Sequence, residues 1–245
     1  MGREILGGAL PIDVILRILR QIKRVVFHEK SPLKGLQRLL YRFKPYRWKF
    51  VTYYRERGWG PGESVSGPGS SLEATRLVRT ALEDVLRKYQ VRTFIDLPCG
   101  DFHWMKTVDL SGIDYLGIDI VPELVEENTK RFGTPSVRFQ CADLLKDRLP
   151  AVDLVLCRDC LFHYPNKLIL RAVRNLRESG SRLLLTTTWP PLAANRELET
   201  PGLFRPINLQ QPPFDFPEPM LLIEEGMANG KSLGLWRLAD LCGPA

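Results

Sequence analysis

The segment VRTFIDLPCGDFHWM at 91–105 constrains the fold of this chain more than any other feature. It reads as a strand that ends in an acidic residue and is followed by a glycine turn. The apolar and β-branched residues around Asp96 are typical of a strand buried in a parallel sheet. Pro98 and Gly100 then predict a tight turn, and Asp101 is placed to cap a helix that would follow. Ligands of open parallel sheets bind outside the carboxyl ends of the strands, so this turn is the first predicted cofactor site.

Three further apolar runs also end in, or lead to, an acid. YLGIDI contains Asp119, about 20 residues after the glycine turn, which is the position that binds ribose hydroxyls in dinucleotide folds. FQCADL contains Asp143, and VDLVLC precedes Asp159. Four strands in phase would bring these acids and Asp96 to one edge of a sheet.

Helical and strand patterns alternate along this part of the chain, which predicts an α/β fold with a doubly wound parallel sheet. Helices are predicted at 72–89, 122–132 and 165–178, a fifth strand at 183–188, and a closing strand pair at 220–224 and 232–238.

The arrangement resembles the class I S-adenosylmethionine-dependent methyltransferases over roughly residues 70–238. The resemblance implies a seven-stranded, mostly parallel, Rossmann-like sheet that ends in an antiparallel hairpin. The family usually has Asp-x-Gly-x-Gly-x-Gly, and here Pro98 and Phe102 replace the first and third glycines. Dinucleotide enzymes use those glycines to bind pyrophosphate, which S-adenosylmethionine lacks, so the departure argues against NAD. The motif Asp-x-Pro-Cys-Gly-Asp, with SGPGS before it and RPINL after it, resembles a bacterial branch of the family.

The resemblance also implies the cofactor, S-adenosylmethionine, and the residues that hold it. The methionine part would lie near the glycine turn, Asp119 would accept from both ribose hydroxyls, and Asp143 with Leu144 would meet the adenine. Glycines at 66–70 would either form a linker or present amide groups to the cofactor carboxylate. The predicted cofactor contacts are Asp96, Pro98, Cys99, Gly100, Asp101, Asp119, Ile120, Asp143, Leu144 and Arg158.

The segment after the fourth strand supplies the predicted catalytic residues. His163 is the candidate base, because an unperturbed imidazole titrates near neutral pH, and the alternative is that it orients the following helix. Asp159 would orient His163 or take the proton itself. Cys157 and Cys160 form a CxxC pair, but no second pair has metal-ligand spacing, so no metal is expected.

A loop at 190–219 is predicted to contact the acceptor. Eight prolines lie between Trp189 and Met220, too many for a regular element, and long loops of this kind are usually functional or disordered. Trp189 would offer a ring face, and Arg205 and Asn208 would bind an oxygen-rich acceptor such as a sugar or phosphate. The alternative is that these residues pack on the domain surface.

Residues 1–60 are predicted to form a basic, mainly helical N-terminal extension of a methyltransferase domain at 61–245. The extension holds 14 Lys and Arg against 4 Asp and Glu, whereas the remainder holds 21 against 24. An amphipathic helix at Leu10–Phe27 would contact an anionic membrane surface or pack on the domain. Basic and aromatic residues interleave in Leu36–Phe50, as in some RNA-binding segments, but no RNA module accompanies them.

These features predict transfer of a methyl group to a hydroxyl of a sugar, glycan precursor or other small metabolite. The alternatives are an RNA or protein methyltransferase that uses the basic extension, or a non-catalytic binding module that retains the fold. An odd number of cysteines, five, and no signal-peptide pattern predict a reducing, cytoplasmic location, with membrane contact through the extension as an option. The sequence does not indicate an oligomeric state.

Overall fold

The structure, a computed structural model, describes residues 44–60 and 62–241. The helix predicted at Leu10–Phe27 lies outside these residues, as do positions 36–43 of the basic aromatic segment. In the described part of the chain, no helix has the length and apolar character needed to cross a membrane.

Seven strands form one sheet, and the first five run parallel. They are β1 (Thr93–Asp96), β2 (Asp114–Asp119), β3 (Val137–Cys141), β4 (Leu154–Cys157), β5 (Leu183–Thr188), β6 (Leu221–Glu224) and β7 (Ser232–Arg237). Their order is β3-β2-β1-β4-β5-β7-β6, and β7 pairs antiparallel with both neighbours. The order reverses between β1 and β4, which is where open α/β sheets bind ligands. The predicted fold class and closing hairpin are confirmed.

Helices cover both faces of the sheet, because neighbouring residues on a strand point to opposite sides. Phe94 packs in the apolar cluster that includes α2, and Ile95 packs in the cluster that includes α4. The helices are α1 (Tyr46–Arg55), α2 (Arg76–Lys88), α3 (Pro122–Phe132) and α4 (Asn166–Glu178). Along α2 the buried residues follow helical spacing, at Val78, Leu82, Val85 and Leu86.

The helix predicted to begin after Asp101 does not form. Phe102 has a φ of 56° and Gly100 a φ of 54°, both in the left-handed region that an α-helix excludes. Only a short 3-10 turn, Met105–Thr107, follows. Helix α2 likewise begins at Arg76 instead of residue 72. The chain from β1 to β2 therefore crosses as a compact turn rather than as a helix.

Helix α1, which falls within the predicted N-terminal extension, packs directly on the sheet domain. The Phe50 ring meets the Tyr164 ring edge-on with centroids 5.5 Å apart, and Arg55 forms an ion pair with Glu123. Through these contacts α1 contributes to the walls of the site described next.

Candidate active site

A cavity of about 390 Å³ opens at the carboxyl ends of β1, β2 and β4. The 66–70 loop, helix α1 and the loop after β5 also contribute to its walls. The site residues predicted from sequence that line it are Asp96, Pro98, Cys99, Gly100, Asp101, Asp119, Ile120, Arg158, Asp159, His163 and Trp189. The topology therefore brings most of the predicted site together.

The turn after β1 is held by the loop that precedes α2. The Asp101 carboxylate accepts hydrogen bonds from the Ser64 hydroxyl and the Val65 amide, each at 2.9 Å. A Cβ atom at Gly100 would overlap Ser66 Oγ, which itself accepts from the Asp101 amide. Glycine is thus required at position 100 both by φ and by the close approach of this loop. Asp101 anchors a loop, and does not cap a helix as predicted.

Asp119, at the end of β2, is buried beside the glycine turn. Its carboxylate accepts from the Gly100 amide at 3.1 Å and the Val121 amide at 3.0 Å. Burial raises the pKa of this carboxyl to about 6, against the effect of those amides. A carboxylate with remaining lone pairs at this position suits the vicinal hydroxyls of a ribose.

Asp96, at the end of β1, is also buried and accepts from the Tyr115 hydroxyl at 2.9 Å. Burial, together with the nearby Asp119, raises the pKa of Asp96 to about 7. This carboxyl therefore exchanges a proton near neutral pH, at a point where the cavity meets the sheet.

Asp143 and Leu144, the predicted adenine contacts, are buried beside the cavity and do not line it. The Asp143 carboxylate accepts from the Tyr46 hydroxyl of α1 and from the Leu145 amide. Its lone pairs thus have protein partners in the structure.

Four charged side chains form a buried network at the end of β4. Lys231 Nζ lies 2.6 Å from Asp159 Oδ1 and 3.1 Å from Glu225 Oε2. Arg158 Nη2 lies 2.5 Å from the same Glu225 oxygen, and Arg158 Nη1 lies 3.3 Å from Asp159 Oδ2. Burial opposes ionisation of Asp159, but Arg158 and Lys231 outweigh it and hold the pKa of that carboxyl below its usual value. Asp159 is therefore a weak proton acceptor, which differs from one of its predicted roles.

His163 lines the cavity from the short 3-10 turn after β4. Its Nδ1 atom lies 2.9 Å from the Leu203 carbonyl oxygen, and this carbonyl, not Asp159, orients the ring. A carbonyl can only accept, so Nδ1 carries the proton and Nε2 keeps its lone pair. Burial lowers the pKa of His163, which favours the neutral imidazole.

Aromatic rings form the wall next to His163. Phe162 meets Trp189 and Phe204 edge-on, with centroids 5.3 Å and 5.2 Å apart. Phe204 is 60 % exposed, so its ring lies at the mouth of the cavity. The loop after β5 therefore contributes ring faces to the site.

Arg205 and Asn208, the other predicted acceptor contacts, do not line the cavity. The buried Arg205 guanidinium donates to the carbonyls of Arg196, Phe162 and Tyr164 and to Asn166 Oδ1. Asn208 donates from its amide to the carbonyls of Pro190 and Leu192. Both side chains hold the proline-rich loop in shape, because a loop without regular structure must satisfy its backbone carbonyls in other ways.

Sequence reasoning missed Lys231 and Glu225, which lie in the closing hairpin and reach Arg158 and Asp159 only through the fold. It also missed Phe204 and the contact of Tyr46 with Asp143. The available signal was a Glu and a Lys that flank a turn with a glycine at each end, between two predicted strands.

The residues fit S-adenosylmethionine in size and in chemistry. Small-molecule sites typically span ~300–1,000 Å³, and this cavity lies within that range. The Asp119 carboxylate is an acceptor for hydroxyl groups, and it lies beside the glycine turn, where position 100 has no space for a side chain. Arg158 Nε and Glu225 Oε1 are buried without a hydrogen-bond partner among the described residues, so polar capacity remains next to the cavity.

Residues 95–184 match the protein family described as "Methyltransferase domain". The matched range runs from β1 to the start of β5 and includes Asp96, Asp119, Asp159 and His163. No curated protein is detectably similar to this chain in sequence.

Several solved structures share the fold. The magnesium protoporphyrin IX methyltransferase ChlM of Synechocystis PCC 6803, with bound S-adenosylmethionine, aligns at a TM-score of 0.54 and 14 % identity over 79 % of this chain and 97 % of that chain. The Burkholderia thailandensis 1,6-didemethyltoxoflavin-N1-methyltransferase aligns at a TM-score of 0.54 and 16 % identity over 78 % of this chain and 86 % of that chain. The DhpI complex with S-adenosylhomocysteine aligns at a TM-score of 0.56 and 17 % identity over 78 % of this chain and 95 % of that chain. The matched family gives residues 95–184 a methyltransferase domain, and the chain shares its fold with methyltransferases solved with S-adenosylmethionine or S-adenosylhomocysteine.

Proposed function

We propose that this enzyme methylates a hydroxyl group of a small-molecule acceptor, such as a sugar, a glycan precursor or another small metabolite, with His163 as the general base. The observation that carries the proposal is the bond between His163 Nδ1 and the Leu203 carbonyl, which leaves Nε2 as a proton acceptor in the cavity wall.

S-adenosylmethionine supplies an electrophilic methyl group when it is bound. The protein must then align the acceptor oxygen and remove its proton. His163 is suited to that task because burial lowers its pKa and keeps it neutral near pH 7. Asp159 is less suited, since its two cationic partners stabilise the ionised carboxylate.

For the cofactor, we propose that Asp119 accepts from the ribose hydroxyls and that the turn at Pro98–Asp101 surrounds the adjoining atoms. The Gly100 conformation and the Ser66 contact support this role, because they fix the turn in the cavity lining, with the Gly100 amide 3.1 Å from Asp119 Oδ2.

For the acceptor, we propose the aromatic wall formed by Phe162, Trp189 and Phe204. Ring faces pack well against flat apolar surfaces, which aromatic compounds and the C–H faces of sugar rings both present. Arg158 and Lys231, the Lys and Arg side chains of the described lining, pair with Glu225 and Asp159, so the aromatic wall is the part of the lining that we assign to the acceptor.

The test begins with calorimetric titration of S-adenosylmethionine and S-adenosylhomocysteine into the wild type and Asp119→Ala. We expect both ligands to bind the wild type and to bind the variant at least about tenfold more weakly, since a buried charged hydrogen bond is lost. Asp114→Ala is the matched control, because Asp114 begins the same strand and is exposed. If neither ligand bound to the wild type, the proposal would be wrong.

Acceptor classes are then compared by transfer of a labelled methyl group. Nucleotide sugars, phenolic compounds and RNA are offered separately at saturating S-adenosylmethionine. We expect transfer to a small-molecule hydroxyl that disappears in His163→Asn. Transfer to RNA alone would replace the proposed acceptor with a nucleic acid.

A further inference from the structure

The four-residue charged network at the end of β4 has a composition that points to one kind of ligand group. It contains two cations, Arg158 and Lys231, and two anions, Asp159 and Glu225, and so carries no net charge. A buried neutral network can take a zwitterion without leaving an unpaired charge, whereas a lone anion or cation would unbalance it.

The members of the network differ in their access to the cavity. Arg158, Asp159 and Lys231 line it, whereas the Glu225 side chain is fully buried behind them. The Asp159 side chain is 25 % exposed, which makes its carboxylate the most accessible of the four groups. Lys231 therefore presents an ammonium, and Asp159 a carboxylate, on the same wall.

The network also keeps unused hydrogen-bonding capacity. The Lys231 ammonium has three donors, and it lies within hydrogen-bond distance of three oxygens, namely Oδ1 and Oδ2 of Asp159 and Oε2 of Glu225. Arg158 Nε has no partner among the described residues. A carboxylate bound at Lys231 would share the ammonium donors with Asp159 and Glu225, whereas Arg158 Nε would be a donor that the network does not use.

The cofactor contains a matching group, because the methionine end of S-adenosylmethionine carries one carboxylate and one ammonium. Among the described residues that line the cavity, Arg158 and Lys231 are the only Lys or Arg side chains. β4 lies next to β1 on the side opposite β2, so a ligand with its ribose at Asp119 reaches this network by crossing the glycine turn.

The 66–70 loop approaches the charged network at Asp159. A Cβ atom at Gly69 would lie 3.0 Å from Asp159 Oδ2, so backbone alone faces the carboxylate there. A side chain at position 69 would therefore press against this carboxylate.

We propose that Lys231 and Asp159, held in place by Arg158 and Glu225, bind the carboxylate and the ammonium of the amino-acid end of S-adenosylmethionine. The inference rests on the proposed function, and it assigns the closing β6–β7 hairpin, which supplies Lys231 and Glu225, a direct part in cofactor binding.

Two ligands that differ only in this end make the test selective. S-adenosylhomocysteine carries the amino acid, whereas 5′-methylthioadenosine keeps adenine, ribose and sulfur but lacks it. Both are titrated calorimetrically into the wild type and into Lys231→Met. We expect the variant to lose affinity for S-adenosylhomocysteine by about tenfold or more, the value of one charge-assisted hydrogen bond, and to bind 5′-methylthioadenosine as the wild type does.

Removing one member of a buried ion network can destabilise the fold, so a charge-balanced variant accompanies the single one. Lys231→Met/Glu225→Gln removes one cation and one anion together, and its binding of 5′-methylthioadenosine reports that the site remains folded. Arg237→Met is the matched control, because Arg237 ends β7, the strand that Lys231 immediately precedes, and its side chain is 61 % exposed. We expect that control to bind both ligands normally.

The outcomes separate the two proposals. A selective loss for S-adenosylhomocysteine in the charge-balanced variant supports the assignment. Equal losses for both ligands, or no loss for either, overturn it while the methyltransferase function stands. A wild type that binds neither ligand contradicts the proposed function and this assignment together.

Discussion

The Nδ1 atom of His163 lies 2.9 Å from the carbonyl oxygen of Leu203, forty residues later in the chain. The backbone reinforces this contact, because the Gly202 amide donates to the His163 carbonyl at 2.8 Å. Phe204, the next residue after Leu203, lies at the cavity mouth. The candidate base and the aromatic wall are therefore fixed to one another, and a shift of this loop would also turn the imidazole.

Replacing His163 with asparagine separates orientation from proton transfer. The asparagine amide can still donate to the Leu203 carbonyl, but it has no basic nitrogen. We expect turnover to fall by about 10²–10⁴-fold, the usual contribution of a general base, with S-adenosylhomocysteine affinity unchanged. Initial rates and calorimetry measure the two quantities. His103→Asn, at a histidine outside the cavity lining, should keep its rate, and a full rate in His163→Asn would exclude His163 as the base.

The pH dependence of turnover provides a separate test of the same residue. The neutral imidazole is the active form, and burial lowers the pKa of His163, so kcat/KM for the acceptor should rise with pH and level off before neutrality. Saturating S-adenosylmethionine removes the contribution of Asp119, whose pKa burial raises to about 6. The acidic limb should disappear in His163→Asn. A limb of the same shape in that variant would assign the titration to another group.

The sheet and one edge of the site could be predicted from sequence because both depend on local pattern. Apolar runs that end in acids predicted β1 and β2, and Asp96 and Asp119 end those strands. Lys231 could not be found in this way, since its distance from Asp159 depends on how the antiparallel hairpin pairs with β5. Arg205 shows the opposite error, because a charged loop residue was read as a ligand contact although it binds backbone carbonyls.

The buried carboxyl of Asp96 should make folding stability depend on pH. Burial raises its pKa to about 7 in the folded protein, whereas an unfolded Asp titrates near ~3.9. Between these values the folded state binds more protons, so the free energy of unfolding contributed by Asp96 should fall by up to about 1.4 kcal/mol per pH unit as pH rises. Asp96→Asn cannot ionise and can still accept from Tyr115. Urea unfolding from pH 4 to pH 8 should show that the free energy of unfolding of the variant rises relative to that of the wild type as pH rises.

The control for this measurement is Asp84→Asn, at an exposed position on α2. It should change stability little and should leave the pH dependence of the wild type intact. An Asp96→Asn variant with the same pH dependence as the wild type would show that Asp96 is ionised in the folded state across this range.

Gly100 should tolerate alanine less well than Gly112, although both glycines have positive φ. A left-handed conformation costs an alanine about 1–2 kcal/mol at either position. At Gly100 the added Cβ also overlaps Ser66 Oγ, whereas at Gly112 the nearest atom, Arg92 Nη1, is 3.5 Å away. Thermal unfolding should therefore show a larger loss for Gly100→Ala, and only that variant should bind S-adenosylhomocysteine more weakly. Equal effects in both variants would contradict the proposed role of the turn.

Tyr46→Phe tests whether α1 is a structural part of the cofactor site. The Tyr46 hydroxyl donates to the Asp143 carboxylate across 97 positions of sequence, and burial together with Asp143 raises the pKa of that hydroxyl, which remains a donor. Loss of the donor leaves a buried carboxylate oxygen with one partner fewer, so the free energy of unfolding should fall by about 1–3 kcal/mol. Because α1 also places Phe50 and Tyr54 in the cavity wall, S-adenosylhomocysteine affinity should fall in the same variant.

Tyr53→Phe is the matched control on the same helix, since the Tyr53 ring packs against Trp59 and its hydroxyl has no hydrogen bond within the described residues. If Tyr46→Phe lowered stability without changing affinity, α1 would stabilise the domain but would not shape the cofactor site.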